Sequence, residues 1–528
     1  MEPDKKALEV VKKHDRLKTS RSNWDSYWQQ LAEYFVPKKD NVYGSPVQGD
    51  IRENKLYTSV SVQANEDLAS ALHGMLTNPS SIWFGLSTGD KQLDKNKNVK
   101  QWLQDVVRIM TNVMNQSNFQ TQIHEVYIDL GSFGTAVMKI EEDDDYVVNF
   151  NARPVYEGYI AENSKGMVDT VSYEFKMTLR QIVQEFGEAV LDKHERLRKL
   201  FNDDEQYEMT IIHLVEPRTE YNPKLISPSK LPFASYKVLK EFDIILSEKG
   251  FHENPYVVTR WSKSSGELYG RSPGMKCLSD AKMLNQLQMY ILKGLSKIVD
   301  PPVQMPDDGF LMPIKLKSGG VNYYRANSRD RIEPIQSGAR PDLGAEFFRD
   351  VEMRIKQAFY IDKLQIRDGD RMTTVEVRQR IEEQLRVLGP VLGRQQFELL
   401  RPMLERVYGI CLRKDLFPPA PPEIADMVLQ VEYTSQIARV QRTADVDNIS
   451  RVIQLAAPLI QSKPEMLDIF DGDGVLRDLI DKFNLPAEYS TEDRLVQEIR
   501  SARQEAQQQQ NQLTRAQEEA DVLSTVEG

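Results

Sequence analysis

The chain is poor in the residues that most chemistry needs. Its 528 residues include two cysteines, Cys277 and Cys411, and six histidines. No CxxC occurs, and each cysteine sits in an apolar helical pattern, so two buried, reduced thiols are expected rather than a disulfide or a zinc site. The histidines (His14, His73, His124, His194, His213, His252) show no HExxH or other metal-ligand spacing. No GxxxxGK[ST] is present, which excludes a P-loop for ATP. No apolar run approaches the roughly 18 residues of a membrane span. The opening residues Met1–Lys6 lack the apolar core of a signal peptide. These absences lead to the expectation of a soluble protein made in the cytosol, with no cofactor, no metal and no membrane.

Two motifs that could carry chemistry fail on physical grounds. Gly270-Arg271-Ser272-Pro273-Gly274 matches the GxSxG nucleophile elbow. That elbow needs the N–H after the serine as an oxyanion donor, and Pro273 has none. The partner histidine should follow the serine, yet all six precede it. A turn that starts a helix is the better reading. Asp471-Gly472-Asp473-Gly474 hints at a calcium loop, but Val475 and Lys482 stand where such a loop needs an oxygen ligand and a bidentate glutamate. A tight turn is expected there.

What is present is a globular composition, 40% hydrophobic and 28% charged, too long for one ordinary core. Three or four structural units are expected. Net charge is −11 and unevenly spread. Residues 276–371 hold 16 Lys+Arg against 13 Asp+Glu, a net of +3, while residues 465–528 hold 6 against 15, a net of −9. The net negative charge argues against broad electrostatic wrapping of nucleic acid. A few cations on an otherwise acidic wall remain compatible with a duct along which DNA slides, as does a solvated mixed surface.

Periodicity gives the elements. Trp24, Tyr27, Trp28, Leu31 and Phe35 recur at helical spacing and stop at Pro37. Leu68, Leu72, Met75 and Leu76 mark a second helix; Val99, Trp102, Val106, Ile109 and Val113 mark a third. Asn78-Pro79 turns the chain between them into a short Trp83-Phe84 segment. Ala136–Ile140 and Tyr146–Phe150 read as a hairpin around the acidic turn Glu141–Asp145. Val168–Phe175 and Tyr207–Val215 read as strands, and Thr178 with Gln181 as a capping box for a helix ending near Gly187. The N-terminal half is therefore an α+β body.

The middle of the chain is the most informative part. A helix over about Gly274–Val299 carries one apolar stripe, Leu278, Ala281, Leu284, Leu287, Ile291, Leu295 and Ile298, with Lys276, Lys282, Lys293 and Lys297 off it. A Pro/Gly-rich, β-forming segment follows to Pro341. A returning helix repeats Leu343, Phe347, Val351, Ile355 and Phe359 every four residues, to about Tyr360. The two stripes can zip antiparallel, each helix roughly 28–40 Å long. An ordinary αα-hairpin in a core gives the same periodicity. A polar loop, Asp362–Met372, leads to a second capping box, Thr373 with Glu376, opening a long helix that Gly389-Pro390 and Pro402 should kink or break. Pro418, Pro419, Pro421 and Pro422 then mark a boundary. The last hundred residues read as helical, and from Gln497 the pattern weakens into a polar tail, either an exposed helix or a segment that orders on assembly.

Several blocks in series resemble one family. They are Trp24…Tyr34 with Pro37; Leu68–Leu76 leading into Asn78-Pro79 and Trp83-Phe84; Pro255-Tyr256, Arg260-Trp261, Gly266-Glu267 and Tyr269–Gly274; Met372–Val377, Glu382-Glu383, Leu388-Gly389-Pro390 and Gln396…Glu398-Leu399-Leu400…Pro402. Over residues 20–410 their order is similar to that of the portal proteins, or head-to-tail connectors, of short-tailed double-stranded DNA bacteriophages. The resemblance implies an α+β, mainly helical subunit. It would comprise an N-terminal wing or body (1–273), stem helix 1 (274–299), a small β-rich clip (300–341), stem helix 2 (342–361), a channel loop (362–372), a long kinked wing helix (373–417) and a helical C-terminal crown with a polar tail (418–528). It implies a homododecameric ring at one capsid vertex, in the virion after assembly in the host cytoplasm. The implied partners are further copies of itself, double-stranded DNA contacted non-specifically, the terminase large subunit, tail adaptor and tail tube proteins, and major capsid and scaffold proteins. Members are not enzymes; ATP hydrolysis belongs to the terminase. On this mapping Arg367, Arg371 and Lys363 face DNA from the channel loop, and Lys293, Lys297, Lys315 and Lys317 line the lower channel. Asp362, Asp368 and Asp370 alternate with the loop cations, so pairing across subunits is the alternative for each. The alternatives for the whole chain are another virion assembly protein, such as an internal core or scaffold protein, or a globular enzyme with an unrecognised site.

Overall fold

A computed structural model describes residues 5–44, 55–90, 92–221, 230–304, 333–335, 341–364, 386–424, 429–433, 449–456, 458, 471–482, 491 and 493–526. It is mainly helical with several antiparallel sheets. The chain divides into two compact units, one of Met1–Thr77 and Ser117–Gly409, the other of Asn78–Gln116 and Ile410–Gly528.

The first unit opens with α1 (Lys5–Phe35), which buries Ala7, Val10, His14, Arg21, Trp28, Leu31, Ala32 and Phe35. Pro37, buried in a 3₁₀ turn, ends it. α2 (Val60–Leu76) and α4 (Phe119–Phe133) pack together and carry the expected Leu68, Leu72 and Leu76 inward. A five-stranded antiparallel sheet follows in the order β4 (Gly158–Glu162), β5 (Val168–Thr178), β6 (Glu208–Pro217), β7 (Phe233–Leu239), β8 (Ile244–Phe251). Alternation divides its core in two. Met209, Ile211, Leu239 and Leu246 pack on Leu179, Ile182 and Leu197 of α5 (Leu179–Phe186) and α6 (Glu195–Asp203). Ile212, Leu214 and Val238 pack on Ala7 and Val10 of α1. The capping box at α5 has both its bonds: Gln181 N–H donates to Thr178 Oγ1 (3.3 Å), and Thr178 N–H donates to Gln181 Oε1 (2.9 Å).

A second sheet has the order β3 (Val147–Arg153), β2 (Thr135–Asp143), β9 (Tyr256–Arg260). The acidic hairpin of the sequence reading is its β2–β3 pair, with Asp143 facing Val147. Side chains from helices cap both of its edges. On β3, Phe150 N–H donates to Asn118 Oδ1 (2.9 Å), Asn118 Nδ2 donates to Phe150 O (2.7 Å), and Ala152 N–H donates to Gln122 Oε1 (2.8 Å). On β9, Arg260 N–H donates to Glu398 Oε2 (2.9 Å) and Gln395 Nε2 donates to Arg260 O (3.0 Å).

The helix bearing Gln395 departs from expectation. Residues 386–395 are helical straight through Gly389-Pro390. The irregularity is a π-turn, Gln396–Leu400, where Arg401 N–H reaches back five residues to Gln396 O. It lies directly before Pro402 in α10 (Arg401–Arg413), whose missing N–H would otherwise orphan a carbonyl in a regular helix.

In the second unit, α3 (Lys97–Gln116) buries Val99, Trp102, Leu103, Val106, Val107, Met110, Val113 and Met114. β1 (Phe84–Ser87) pairs antiparallel with β12 (Gln430–Tyr433), Phe84 opposite Tyr433, and Trp102 Nε1–H donates to Pro418 O (2.9 Å). Two further helices are α11 (Gly472–Lys482) and α12 (Asp493–Val526), joined by Arg500 to Asp473 at 2.5 and 2.8 Å.

Candidate functional site: the helical hairpin and its tip

The hairpin starts where two glycines touch. Gly134 closes α4 at φ +76°, and a Cβ on Gly270 would lie 2.2 Å from Gly134 O. Only glycine at both places allows this approach. It sets Ser272 at the N-cap of α7 (Pro273–Val299), where its hydroxyl accepts from Met275 N–H (2.9 Å) and donates to Ser132 O (2.7 Å). Ser272 is fully buried and committed to capping. This is the helix-starting turn expected of the GxSxG match.

α7 runs about 40 Å at 1.5 Å per residue. Its backbone departs from helical angles at Cys277 (φ −111°, ψ 16°), whose thiol lies 3.5 Å from Pro273 O. Burial pushes that thiol up to about 12 and the Cys411 thiol up to about 11, so both stay protonated at neutral pH. The first half of α7 is inward: Leu278, Ala281, Leu284 and Asn285 are buried. Asn285 is an addition to the predicted stripe. Its side chain accepts from Tyr57 N–H (2.6 Å) and donates to Lys55 O (2.8 Å), pinning an N-terminal segment to the helix. A lone amide within an apolar stripe was the available signal.

α8 (Pro341–Ala358) returns against α7. A Cβ on Gly344 would come 3.1 Å from Ile291 Cγ1, so the two helices meet closely there. Val351, Ile355 and Phe359 are fully buried, with the Phe359 ring 5.5 Å from Phe35 and the Tyr360 ring stacked 6.1 Å from Trp261. Away from this anchored end the apolar stripes are open. Tyr290 (64%), Leu292, Leu295, Ile298 and Val299 (82%) of α7 are exposed, as are Phe347 and Met353 of α8. Between the helices, β10 (Val303–Gln304) and β11 (Glu333–Pro334) form a two-residue antiparallel ladder, Val303 opposite Pro334. A hairpin with a β-paired base to its tip is thus present; the rest of the tip lies outside the described residues.

The predicted site residues divide accordingly. Lys293 and Lys297 are exposed one turn apart on the open half of α7, beside the tip. Lys363 is exposed on α9 (Ile361–Leu364), at the anchored end, so the hairpin's length separates it from the other two. Arg367, Arg371, Lys315 and Lys317 lie outside the described residues, as does the Thr373–Glu376 capping box. Where a tight turn was expected, Asp471 instead stands at the N-cap of α11, accepting from Gly474 N–H (2.9 Å) in the helix's first turn. Among the described residues, no group of three or more His, Cys, Asp or Glu could hold a metal ion, and no helix is long and apolar enough to cross a membrane.

The family model "Bacteriophage head to tail connecting protein" matches residues 7–490. The probable portal protein of Bordetella phage BPP-1 is 30% identical over 527 residues, 98% of this chain and 94% of that protein. The portal protein of Salmonella phage epsilon15 is 31% identical over 476 residues, 88% of this chain and 85% of its own length. That of Escherichia phage T7 is 23% identical over 84% of this chain and 81% of its own. Among solved structures, a chain from the virion of a native gene transfer agent particle aligns over 82% of this chain and 95% of that one, at 9% identity and a TM-score of 0.38. The chain belongs to the bacteriophage head-to-tail connecting protein family.

Proposed function

We propose that this protein is the portal of a phage capsid vertex, a closed homo-oligomeric ring of the α7–α8 hairpins and their bodies. As a family member it serves a connector role at the junction of head and tail. The single observation that carries the ring is the exposed apolar half of the hairpin. Burying one Leu or Ile side chain is worth about 1.5–3 kcal/mol; Leu292, Leu295 and Val299 recur at helical spacing on α7 and are exposed in a lone chain, as are Ile298, Phe347 and Met353. Repeating the hairpin around an axis covers that face with the next copy, and rotational closure leaves none over.

In this reading twelve copies enclose a channel through which double-stranded DNA enters during packaging and leaves at ejection. The tip contacts the terminase large subunit first and tail adaptor or tail tube proteins later; the outer body meets major capsid and scaffold proteins. The ring sits in the virion, having assembled in the host cytoplasm. Lys293 and Lys297, with Lys315, Lys317, Lys363, Arg367 and Arg371, supply non-specific phosphate contacts, because a channel must pass any sequence. The chain performs no catalysis; the motor supplies ATP hydrolysis. Negative-stain microscopy of the purified protein tests the reading. Radially symmetric particles with a central hole are expected, and a uniform population of compact monomers would overturn it.

A further inference from the structure

The final helix carries a pattern that the hairpin does not use. α12 spans 34 residues, and Leu495, Ile499, Ala502, Ala506 and Gln509 are all exposed on it. Along the sequence, Leu495, Ile499, Ala502, Ala506, Gln509, Leu513, Ala516, Ala520 and Leu523 alternate steps of four and three without a break. A mean step of 3.5 keeps these positions on one narrow seam only if the helix winds around another helix. A helix meant to stay in solvent has no use for such a seam. The one polar member, Gln509, stands at its centre, where a polar side chain fixes register at some cost in stability.

The flanks of the seam choose the partner and its direction. In a parallel, in-register pair each residue on the leading flank faces one five positions on in the other helix. That sets Glu498 against Arg503, Glu505 against Gln510, and Gln512 against Gln517. Turning one helix around sets Glu498 against Glu519, two like charges. Arg500, which Asp473 of α11 holds, lies off the seam and leaves it open.

We propose that α12 pairs, parallel and in register, with α12 of a neighbouring copy. This deepens the ring reading, which it needs only to bring two copies together. Four of the nine seam positions are alanine, so the seam buries little surface and is weak between free chains. Held side by side in a ring, the helices meet at an effective concentration on the order of millimolar, where a weak seam closes. The tail then pairs as a consequence of assembly.

Cysteine cross-linking of the full chain tests this. In Ala502→Cys, a seam position off the centre, mild oxidation is expected to convert the chain to a disulfide-linked dimer on a denaturing gel. In Gln504→Cys, on the outer face, it is expected to give none, and the wild type, whose two thiols are buried, serves as the blank. Equal yields from the two variants, or none from Ala502→Cys, overturn the pairing. Ring formation is scored separately by microscopy on the same samples. Rings without Ala502→Cys dimers sink the pairing alone, and dimers without rings sink the ring alone.

Discussion

Arg260 and Glu398 are bound to each other three times over. Glu398 Oε2 accepts from Arg260 N–H at 2.9 Å and from Nε at 3.3 Å, while Oε1 accepts from Nη2 at 2.9 Å. Both side chains are buried, and the pair holds the π-turn of one helix to the edge of β9. Glu398→Ala leaves a desolvated guanidinium with Glu162 (2.9 Å) as its remaining carboxylate. A loss of about 3–5 kcal/mol is expected, read as a lower urea midpoint; Glu398→Gln, which can still accept from Arg260 N–H, should lose less.

Acid should weaken the first unit through His213. This ring lies on the wall of a cavity of about 720 Å³, bonded to Ser235 Oγ (2.9 Å) and Tyr256 Oη (3.0 Å). Burial, then the charges of Lys139, Lys237 and Arg153, lowers its pKa to about 3. The unfolded chain takes up this proton near pH 6.5, so the folded state has its full advantage above that value and loses it progressively toward pH 3. Thermal melts between pH 7 and 4 should show the decline, and His213→Gln should flatten it. An unchanged slope in the variant would remove His213 as the cause.

Below about pH 4.5 a second group joins. Glu174 is held well below the usual carboxylate range by a hydrogen bond from His14, with Lys18 and Lys240 beside it. Its contribution is present above the unfolded carboxylate value and is lost as pH falls through the depressed one. Glu174→Gln should therefore lower stability at pH 7 and narrow its difference from wild type at pH 3, in melts extended to that pH.

Gly270→Ala should be among the costliest single-methyl additions in the chain. Its Cβ would stand 2.2 Å from Gly134 O and 2.9 Å from Arg260 Cβ. Backbone contacts cannot yield as a flexible side chain can, and a loss of at least about 1–3 kcal/mol is expected. Calorimetry reads the loss.

Assembly and DNA handling should separate by mutation. Leu295→Glu with Ile298→Glu places charge on the open hairpin face; sedimentation is expected to show folded single chains without rings. Arg367→Ala with Arg371→Ala should leave rings intact while reducing packaged or retained DNA. Unchanged packaging would strike those two arginines from the channel.

What the sequence disclosed depended on how local the cause was. α1 was legible because its aromatic spacing and Pro37 lie within one segment, and the Thr178–Gln181 box because both bonds span three residues. The β1–β12 pair was not, since Gln430–Tyr433 is four residues long and its partner lies far along the chain. Gly389-Pro390 suggested a break where none occurs, because Gln395 and Glu398, reaching to β9, decide where that helix deforms. The stripe through Leu295 and Ile298 was expected to zip against the return helix, yet both residues are exposed. Periodicity says that a face will be covered, not whether its own return helix or another molecule does so. The channel loop with Arg367 and Arg371 stays a sequence reading.

The three-stranded sheet has a lasting effect on how copies can meet. Asn118 and Gln122 occupy the backbone of β3, and Gln395 and Glu398 occupy that of β9. A polypeptide made in many copies at one place risks strands adding to strands without limit. With Phe150 and Ala152 on one rim and Arg260 on the other already bonded to amides and a carboxylate, that sheet is a poorer template at those points, and growth is steered toward helical faces, where geometry can bring it to a stop.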